Sequence, residues 1–185
     1  STIGGFAYDK IELNPKLLLH LGLRYDLGTI KTGNYFDWFT SPVDDSQEYL
    51  QRATAITRNF NSASWGIGIN YNRENFFWRA NLGKSFRMPI AKELASNGVN
   101  FHQFSYELGD ANLDAEESYQ LDLGLTFEKD NFSADVSPFV NYFTNYIYLN
   151  PTPNYDYSYG AGNQIYKYTQ SEVLRYGGEI KLNYA

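Results

Sequence analysis

The sequence predicts an all-β fold in which about seven long antiparallel strands run up and down as part of a transmembrane β-barrel wall. Polar and apolar residues alternate over stretches well past ten residues, whereas a globular strand usually spans five or six. Mean hydropathy is −0.49 although 43% of the residues are hydrophobic, as expected when only every second residue faces lipid. Short turns also alternate with long polar segments, which is typical of membrane barrels.

The clearest strand pair lies in residues 119–148. Side chains on a strand alternate with period two, so this hairpin has one apolar and one polar face. The polar face of its first strand carries Gln120, Asp122, Gly124, Thr126 and Glu128. The apolar face carries Tyr119, Leu121, Leu123, Leu125 and Phe127, followed in the second strand by Phe132, Ala134, Val136, Val140, Tyr142, Tyr146 and Tyr148.

The same alternation predicts five further strands, at about residues 3–13, 17–27, 65–72, 76–86 and 174–184. Tight turns join three strand pairs at Asn14-Pro15-Lys16, Arg73-Glu74-Asn75 and Lys129-Asp130-Asn131. Long polar segments at 28–64, 87–115 and 150–164 form the other connections. We therefore expect short periplasmic turns at one end of the wall and long extracellular loops at the other. A soluble β-sandwich, with its apolar faces packed together, is the alternative fold.

Composition limits the possible functions. The net charge of −6 argues against nucleic-acid binding, and zero Cys excludes disulfides and thiolate metal sites. A nucleophile elbow, a phosphate-binding loop and a Cys/His metal spacing are all missing, so we expect neither an enzyme nor a cofactor. Aromatic residues are abundant at 18%, and Tyr and Trp favour the headgroup zone of a membrane. The first residues do not resemble a signal peptide, which predicts that one was removed or that the chain is an internal piece.

Several motifs resemble those of TonB-dependent outer-membrane receptors. The strongest are Ser85-Phe86-Arg87-Met88-Pro89, then Glu93-Leu94, and then the segment GDANLDAEES at 109–118. Residues 6–26, 142–147 and 177–179 are similar to further strands of that family, so the resemblance covers nearly the whole chain. Ala111 and Ala115 depart from the usual prolines, which predicts a less rigid loop.

The resemblance implies a 22-stranded barrel in the outer membrane of a Gram-negative bacterium, preceded by a plug domain and a TonB-binding segment. Residues 1–185 are then expected to be a fragment of that barrel domain, from its second half. Such receptors actively take up a scarce ligand such as an iron chelate, haem, a vitamin or a glycan. The implied partners are membrane lipid, the ligand and, through the missing N-terminal parts, a periplasmic TonB protein. A passive porin-like barrel and a soluble carbohydrate-binding module are the alternatives. The isolated fragment is expected to self-associate through its unpaired sheet edges.

Ligand-binding residues are expected in the loops, because loops on a rigid scaffold usually carry binding. His102 is a weak metal-ligand candidate, since a second ligand is missing nearby, so we predict no metal site. The loop candidates that could stack on or bind a ligand are Tyr35, Trp38, Phe39, His102, Tyr155, Tyr157 and Tyr159.

Other polar positions are expected to have structural roles. Glu116 and Ser118 should bind backbone N–H groups where the loop becomes a strand. The glycines of the polar face, among them Gly22, Gly66 and Gly83, either allow strand bending or leave space for a plug. The charged residues expected to line the lumen are Arg24, Asp26, Arg79, Asp122, Glu179 and Lys181.

Overall fold

The computed structural model describes residues 1–40, 49–158, 160 and 162–184, and the side chains of all of these except Trp38 and Phe39. The long strands are β1 (Thr2–Asn14), β2 (Leu17–Thr32), β5 (Ile56–Arg73), β6 (Phe76–Arg87), β9 (Glu116–Lys129), β10 (Phe132–Asp156) and β11 (Asn163–Tyr184). The connections contain β3 (Tyr35–Thr40), β4 (Tyr49–Ala53), helix α1 (Ala91–Ala95), β7 (Asn97–Asn100) and β8 (Ser105–Leu108).

The strands form a nine-stranded sheet in the order β1-β2-β5-β6-β9-β10-β11-β8-β7, with β3 and β4 paired separately. The seven long strands are neighbours in chain order and antiparallel, which confirms the predicted up-and-down arrangement. β8 is the exception, because it pairs in parallel with β11. Within the described ranges, no helix is both long and apolar enough to span a membrane.

The strand register gathers the apolar residues on one face of the sheet. One row runs from Leu21 through Ile67, Leu82 and Leu121 to Val140, each directly opposite the next across neighbouring strands. Residues directly opposite each other share a face, so the row is continuous across five strands. Ile67 and Leu121 remain 45% and 40% exposed, and no second sheet among the described residues covers them. The β-sandwich alternative is therefore wrong.

The opposite face is polar, as predicted. Gly22, Gly66, Gly83 and Gln120 form one row across β2, β5, β6 and β9. The charged residues expected on the lumen side all have register positions on this face, and the guanidinium of Arg24 lies 2.6 Å from the carboxylate of Asp26.

The turns match the prediction, but the loops are more structured than expected. Glu74 and Asp130 have φ angles of 47° and 52°, in the left-handed region that tight turns use. β2 and β5 extend well into segment 28–64, and β10 and β11 reduce the predicted loop 150–164 to residues 157–162. The alternation signal fades there because positions on the outward face become polar, as at Thr29 and Asn59, while apolar residues such as Phe60 lie on the opposite face.

Aromatic rings gather on the apolar face near both ends of the wall. Close to the tight turns, Tyr71 packs on Trp78 with ring centroids 5.6 Å apart, and Phe76 packs on Phe127 at 4.8 Å. Towards the loops, a second row contains Trp65, Tyr119 and Tyr142, with Lys84 between Trp65 and Tyr119. Aliphatic residues occupy the positions between the two rows.

The buried hydrophobic cluster lies at the loop end of the sheet. It consists of Phe60, Leu94, Leu113 and Ile147, which are 2–7% exposed. Residues packed against it are Ile30, Ile56, Met88, Ala115 and Tyr168.

Candidate functional site

The loop end of the sheet is organised around residues 88–115, which connect β6 to β9 and which we call the strap. It contains α1, β7 and β8. β8 pairs with the edge of β11 that faces away from β10, so the strap passes β9, β10 and β11 to the far edge of the sheet before it returns. The strap thereby brings distant parts of the chain together at this end.

Arg87, Glu93 and Glu116 tie the beginning of the strap to its end. The Arg87 guanidinium donates hydrogen bonds to Glu93 at 2.9 and 3.0 Å and to Glu116 at 3.1 Å. Glu93 also accepts the Ile90 N–H at 2.8 Å, which caps α1. Glu116 accepts the N–H of Ile147 at 3.0 Å, so its predicted role as a partner for a free backbone donor is confirmed.

Ser118 differs from the prediction. Its Oγ lies 3.1 Å from the Oγ of Ser85 on the neighbouring strand, and the two hydroxyls pair with each other. The hydroxyl thus links two strands of the wall instead of binding a backbone N–H group.

The segment at 109–118, which carries one of the family-like motifs, packs directly on the helix that carries Glu93 and Leu94. A Cβ atom on Gly109 would lie 2.6 Å from backbone atoms of Leu94 and Ala95, so only glycine fits without a shift. The Gly109 N–H donates to the Ser96 carbonyl at 2.7 Å, and the Asp110 N–H donates to the Glu93 carbonyl at 2.8 Å. The motif residues around the strap therefore form one packed unit.

The two alanines of this motif have their carbonyl groups bound by side chains from other strands. The Arg58 guanidinium donates to the Ala111 carbonyl, and the Asn145 amide donates to the Ala115 carbonyl at 3.4 Å. These contacts hold the backbone at both positions where a less rigid loop was predicted.

Glu107 is a buried carboxylate that the sequence did not single out. It is 2% exposed and lies 2.6 Å from the Lys92 ammonium, while Asn100 donates to it at 2.8 Å and the Tyr168 hydroxyl at 3.4 Å. Burial acts to raise the pKa of Glu107, but the hydrogen bonds from Lys92 and Asn100 outweigh it and leave the pKa below its usual range. The same hydrogen bond to Glu107 raises the pKa of Lys92. Tyr168 is distant in sequence, so a local pattern could not reveal this cluster.

β11 holds the strap through further polar contacts. The Lys167 ammonium lies 3.1 Å from Asp110. The Gln170 side chain accepts the Asp114 N–H and donates to the Asp114 carbonyl, both at 2.9 Å. The backbone N–H of Asn112, followed by Lys167, lowers the pKa of Asp110.

The first loop contacts the strap through Arg52 on β4. Its guanidinium lies 3.4 Å from Asp37, donates to the Val99 carbonyl and stands 5.7 Å from the centre of the Phe101 ring. A β-bridge joins Ala53 to Ser96 beside it. Parts of the first and second predicted loops therefore meet at one end of the sheet.

Of the predicted ligand-binding residues, Tyr35, His102, Tyr155 and Tyr157 have described side chains, and they lie in three separate connections at this end. His102 is exposed in the turn between β7 and β8, and its backbone N–H donates to Asn100 at 3.1 Å. Tyr35 on β3, Tyr155 near the end of β10 and the following Tyr157 are each more than half exposed. Tyr159 and the side chains of Trp38 and Phe39 lie outside the described residues. In the part of the chain that is described, no three His, Cys, Asp or Glu residues are grouped to hold a metal ion.

Two exposed aromatic residues at the same hairpin were missed as candidates. Phe101 and Phe104 flank His102 and are 53% and 77% exposed. Phe104 has a φ angle of 49°, which is rare for a bulky residue. Their position next to His102, which the sequence analysis names as a candidate, is the sequence signal that could have identified them.

The polar face carries a recess of about 440 Å³. Gly66 leaves part of this space open, since a Cβ atom at this position would meet nothing within 4 Å. On one side of the recess, His20 Nδ1 is 2.6 Å from the Tyr8 hydroxyl and His20 Nε2 is 3.2 Å from the Asn70 amide. These hydrogen bonds fix the imidazole on the wall. Other lining residues include Gly22, Gly68, Asn81, Gly83, Gln120 and Asp122.

Comparison with known proteins identifies the barrel type. A family model described as "TonB dependent receptor-like, beta-barrel" matches residues 1–185. The Serratia marcescens hemophore receptor HasR, solved with its hemophore HasA and heme, is similar with a TM-score of 0.74 and 19% identity. The copper transporter OprC has a TM-score of 0.74 and 20% identity, and the iron transporter FrpB from Neisseria meningitidis 0.64 and 17%.

These three structures match the chain over its full length. The match covers 32% of the HasR chain, 27% of OprC and 24% of FrpB, so the chain spans about a quarter to a third of their lengths. At these identities the likeness establishes the fold, which is that of a segment of barrel wall.

Proposed function

Because the chain belongs to the TonB-dependent receptor β-barrel family, we propose that it forms part of an outer-membrane transporter that actively takes up a scarce ligand. The match of the family model to all of residues 1–185 is the observation that carries this proposal. Members of the family are transporters, not enzymes. The periplasmic TonB protein engages the whole receptor through parts outside residues 1–185.

An outer-membrane location is supported by the exposed apolar face. Its two aromatic rows match the girdles that flank the lipid-facing band of membrane barrels. The stretch of β9 from Tyr119 to Phe127 is nine residues long, and a tilted strand needs about 9–11 residues to cross the hydrocarbon core of a membrane. Membrane lipid is therefore the proposed partner of this face.

The ligand is proposed to bind the aromatic residues of the loop end. Tyr35, Tyr155 and Tyr157 expose their rings there, and His102 offers an accessible imidazole. Aromatic rings stack on flat ligands or sugars, which suits haem, an aromatic iron chelate, a vitamin or a glycan. Trp38, Phe39 and Tyr159 belong to the same proposed set.

Uptake by the full-length parent protein tests the proposal. The parent is expressed in a Gram-negative host that lacks its own receptors, with and without TonB, and supplied with haem, a ferric siderophore or cupric ion. We chose these probes because similar structures are named for haem, siderophores and copper. We expect at least one probe to accumulate only when TonB is present. Equal accumulation without TonB would instead favour a passive porin-like barrel.

The proposed loop residues are tested in the same assay. The change Tyr155→Ala with Tyr157→Ala should weaken binding of the transported probe by about thirtyfold, at about 1 kcal/mol for each of the two lost stacking contacts. The matched control is Tyr176→Ala, because this tyrosine is also exposed but lies on the apolar face. Unchanged binding in the loop variant would remove these residues from the proposed site.

A further inference from the structure

We propose that the strap is a fixed cap over one sector of the barrel mouth, so that the ligand passes beside it while it stays docked. The inference rests on the proposed transport function, because a cap over the barrel entrance has a role only if a ligand passes through that entrance. It concerns residues 88–115, all of which are described. Four features of this segment carry it.

The strap covers the inward side of the wall. Gly28 and Phe60 face each other across β2 and β5, in the same alternation as the lumen-facing Asp26. The Met88 side chain lies against Gly28, where a Cβ atom would collide with its sulfur. Leu94 and Leu113 of the strap pack against Phe60. The segment therefore lies across the lumen side, where it narrows the entrance.

The contact beneath the strap is a closed hydrophobic core. Leu94 is 2% exposed and Leu113 4%, values typical of the interior of a globular protein. Lifting the strap would expose both leucines together with Phe60 and Ile147 to water. A segment that moves during uptake would be expected to bury little apolar surface.

Both sides of the strap are attached by backbone pairing. β8 pairs with β11 at Tyr106–Ile165, Glu107–Tyr166 and Leu108–Lys167, and Ser96 before β7 bridges to Ala53 of the first loop. A hinged lid needs at least one side that is free to separate. The strap therefore resembles part of the wall more than a lid.

Ion pairs hold the same segment at three points. Arg87 binds Glu93, Lys92 binds the buried Glu107, and Lys167 of β11 binds Asp110. In contrast, residues 101–104 at the hairpin tip are exposed in a turn. The tip is thus better suited to move towards a ligand than the parts of the strap that these ion pairs and strand pairs hold.

Hydrogen exchange on the full-length parent protein in detergent tests the cap without any ligand. We expect the amides of β8 to exchange within about tenfold of those of β9, and the tip amides to exchange far faster. The variant Glu107→Gln should speed exchange of the strap by about fivefold and leave β9 unchanged, which shows that the method detects loosening. Exchange of β8 in the native protein at the rate of the tip would overturn the proposal.

A disulfide between Tyr106→Cys and Ile165→Cys tests whether docking persists during uptake. These residues are neighbours in parallel strands about 4.8 Å apart, within the range that a disulfide spans, and residues 1–185 contain no native cysteine. Uptake is measured with haem, the ferric siderophore and cupric ion. We expect the oxidised and reduced proteins to take up the transported probe within about twofold of each other.

Uptake that disappears on oxidation and returns on reduction, with both single-cysteine variants active, would overturn the fixed cap. If the native protein takes up none of the three probes, that result counts against the proposed function. The exchange rates then decide on the cap alone.

Discussion

Leucine side chains are exposed on the wall of this protein and buried at its loop end. Leu121 and Leu123 on the wall are 40% and 43% exposed, whereas Leu94 and Leu113 at the loop end are 2% and 4% exposed. A leucine on the wall needs only an apolar solvent, which a membrane supplies. At the loop end, where water is the expected solvent, the chain must bury its leucines against itself. The two regions are therefore stabilised by different interactions and respond differently to the same substitution.

Leucine truncation should separate the two regions most strongly. Leu94→Ala leaves a cavity in the loop-end core and should lower the free energy of strap opening by about 3 kcal/mol. The matched control Leu123→Ala should cost less, about 1–2 kcal/mol, because lipid fills the space and only the transfer free energy of the deleted apolar atoms is lost. Hydrogen exchange of residues 88–115 and of β9 in the full-length parent measures both effects. Equal losses would mean that the wall leucine is packed in protein.

Charge placement tests which face of the wall meets lipid. Leu123→Arg puts a cation near the middle of the apolar face and should destabilise the folded barrel by about 2–3 kcal/mol. Gln120→Arg on the opposite face should have little effect, since that side is polar. Urea unfolding of the parent in lipid vesicles compares the two variants. A larger loss for Gln120→Arg would reverse the assignment of the faces.

A pair of glycine substitutions compares the packed region with the open one. Gly109→Ala forces a Cβ atom against the backbone of α1 and should cost about 1–3 kcal/mol in strap stability. Gly66→Ala meets open space on the wall and should be nearly neutral. Limited proteolysis of residues 88–115 detects the loosened strap. Resistance of the Gly109 variant equal to that of the native protein would contradict the close packing.

The buried carboxylate should contribute a smaller amount. Glu107→Gln keeps the shape of the side chain but loses the ion pair with Lys92. Because the Lys92 side chain is half exposed, we expect a loss of about 1 kcal/mol in strap stability. Glu128→Gln, an exposed carboxylate near a tight turn, is the control and should change little. Hydrogen exchange at neutral pH measures the difference, and equal rates in both variants would count against the ion pair.

The pH dependence of strap docking should be the mildest effect. The lowered pKa of Glu107 gives a contribution that is present above the unfolded value of about 4.3 and is lost as pH falls through the folded pKa. The raised pKa of Lys92 gives a contribution that is present below about 10.4 and is lost as pH rises through its folded pKa. Protection of the strap, corrected for intrinsic exchange, should therefore be flat from about pH 5 to 10. A sharp change near pH 7 would point to another group.

The wall was predictable because its information is local. Alternation along each strand identified the two faces, and turn residues such as Asp130 marked where the chain reverses. The motif residues Arg87, Glu93 and Glu116 pointed to the right place in the chain. Their mutual contacts could not be predicted, because the sequence does not show that the end of the strap returns to its beginning.

The site was predictable only as a region. The aromatic candidates were placed in loops, and Tyr35, Tyr155 and Tyr157 do lie exposed at the loop end. Their ligand contacts remain a prediction. The loops themselves proved to contain strands and a helix, because their order comes from partners far away along the chain, such as β11 for β8.

The sequence by itself determined the all-β class, the apolar and polar faces, the tight turns and the family, since each depends on residue spacing within one or two strands. The tertiary structure alone decided the parallel pairing of β8 with β11, the burial of Glu107 and the core around Leu94. These features depend on contacts between segments separated by tens of residues. Many local patterns are compatible with such contacts, and only the packed chain selects one arrangement.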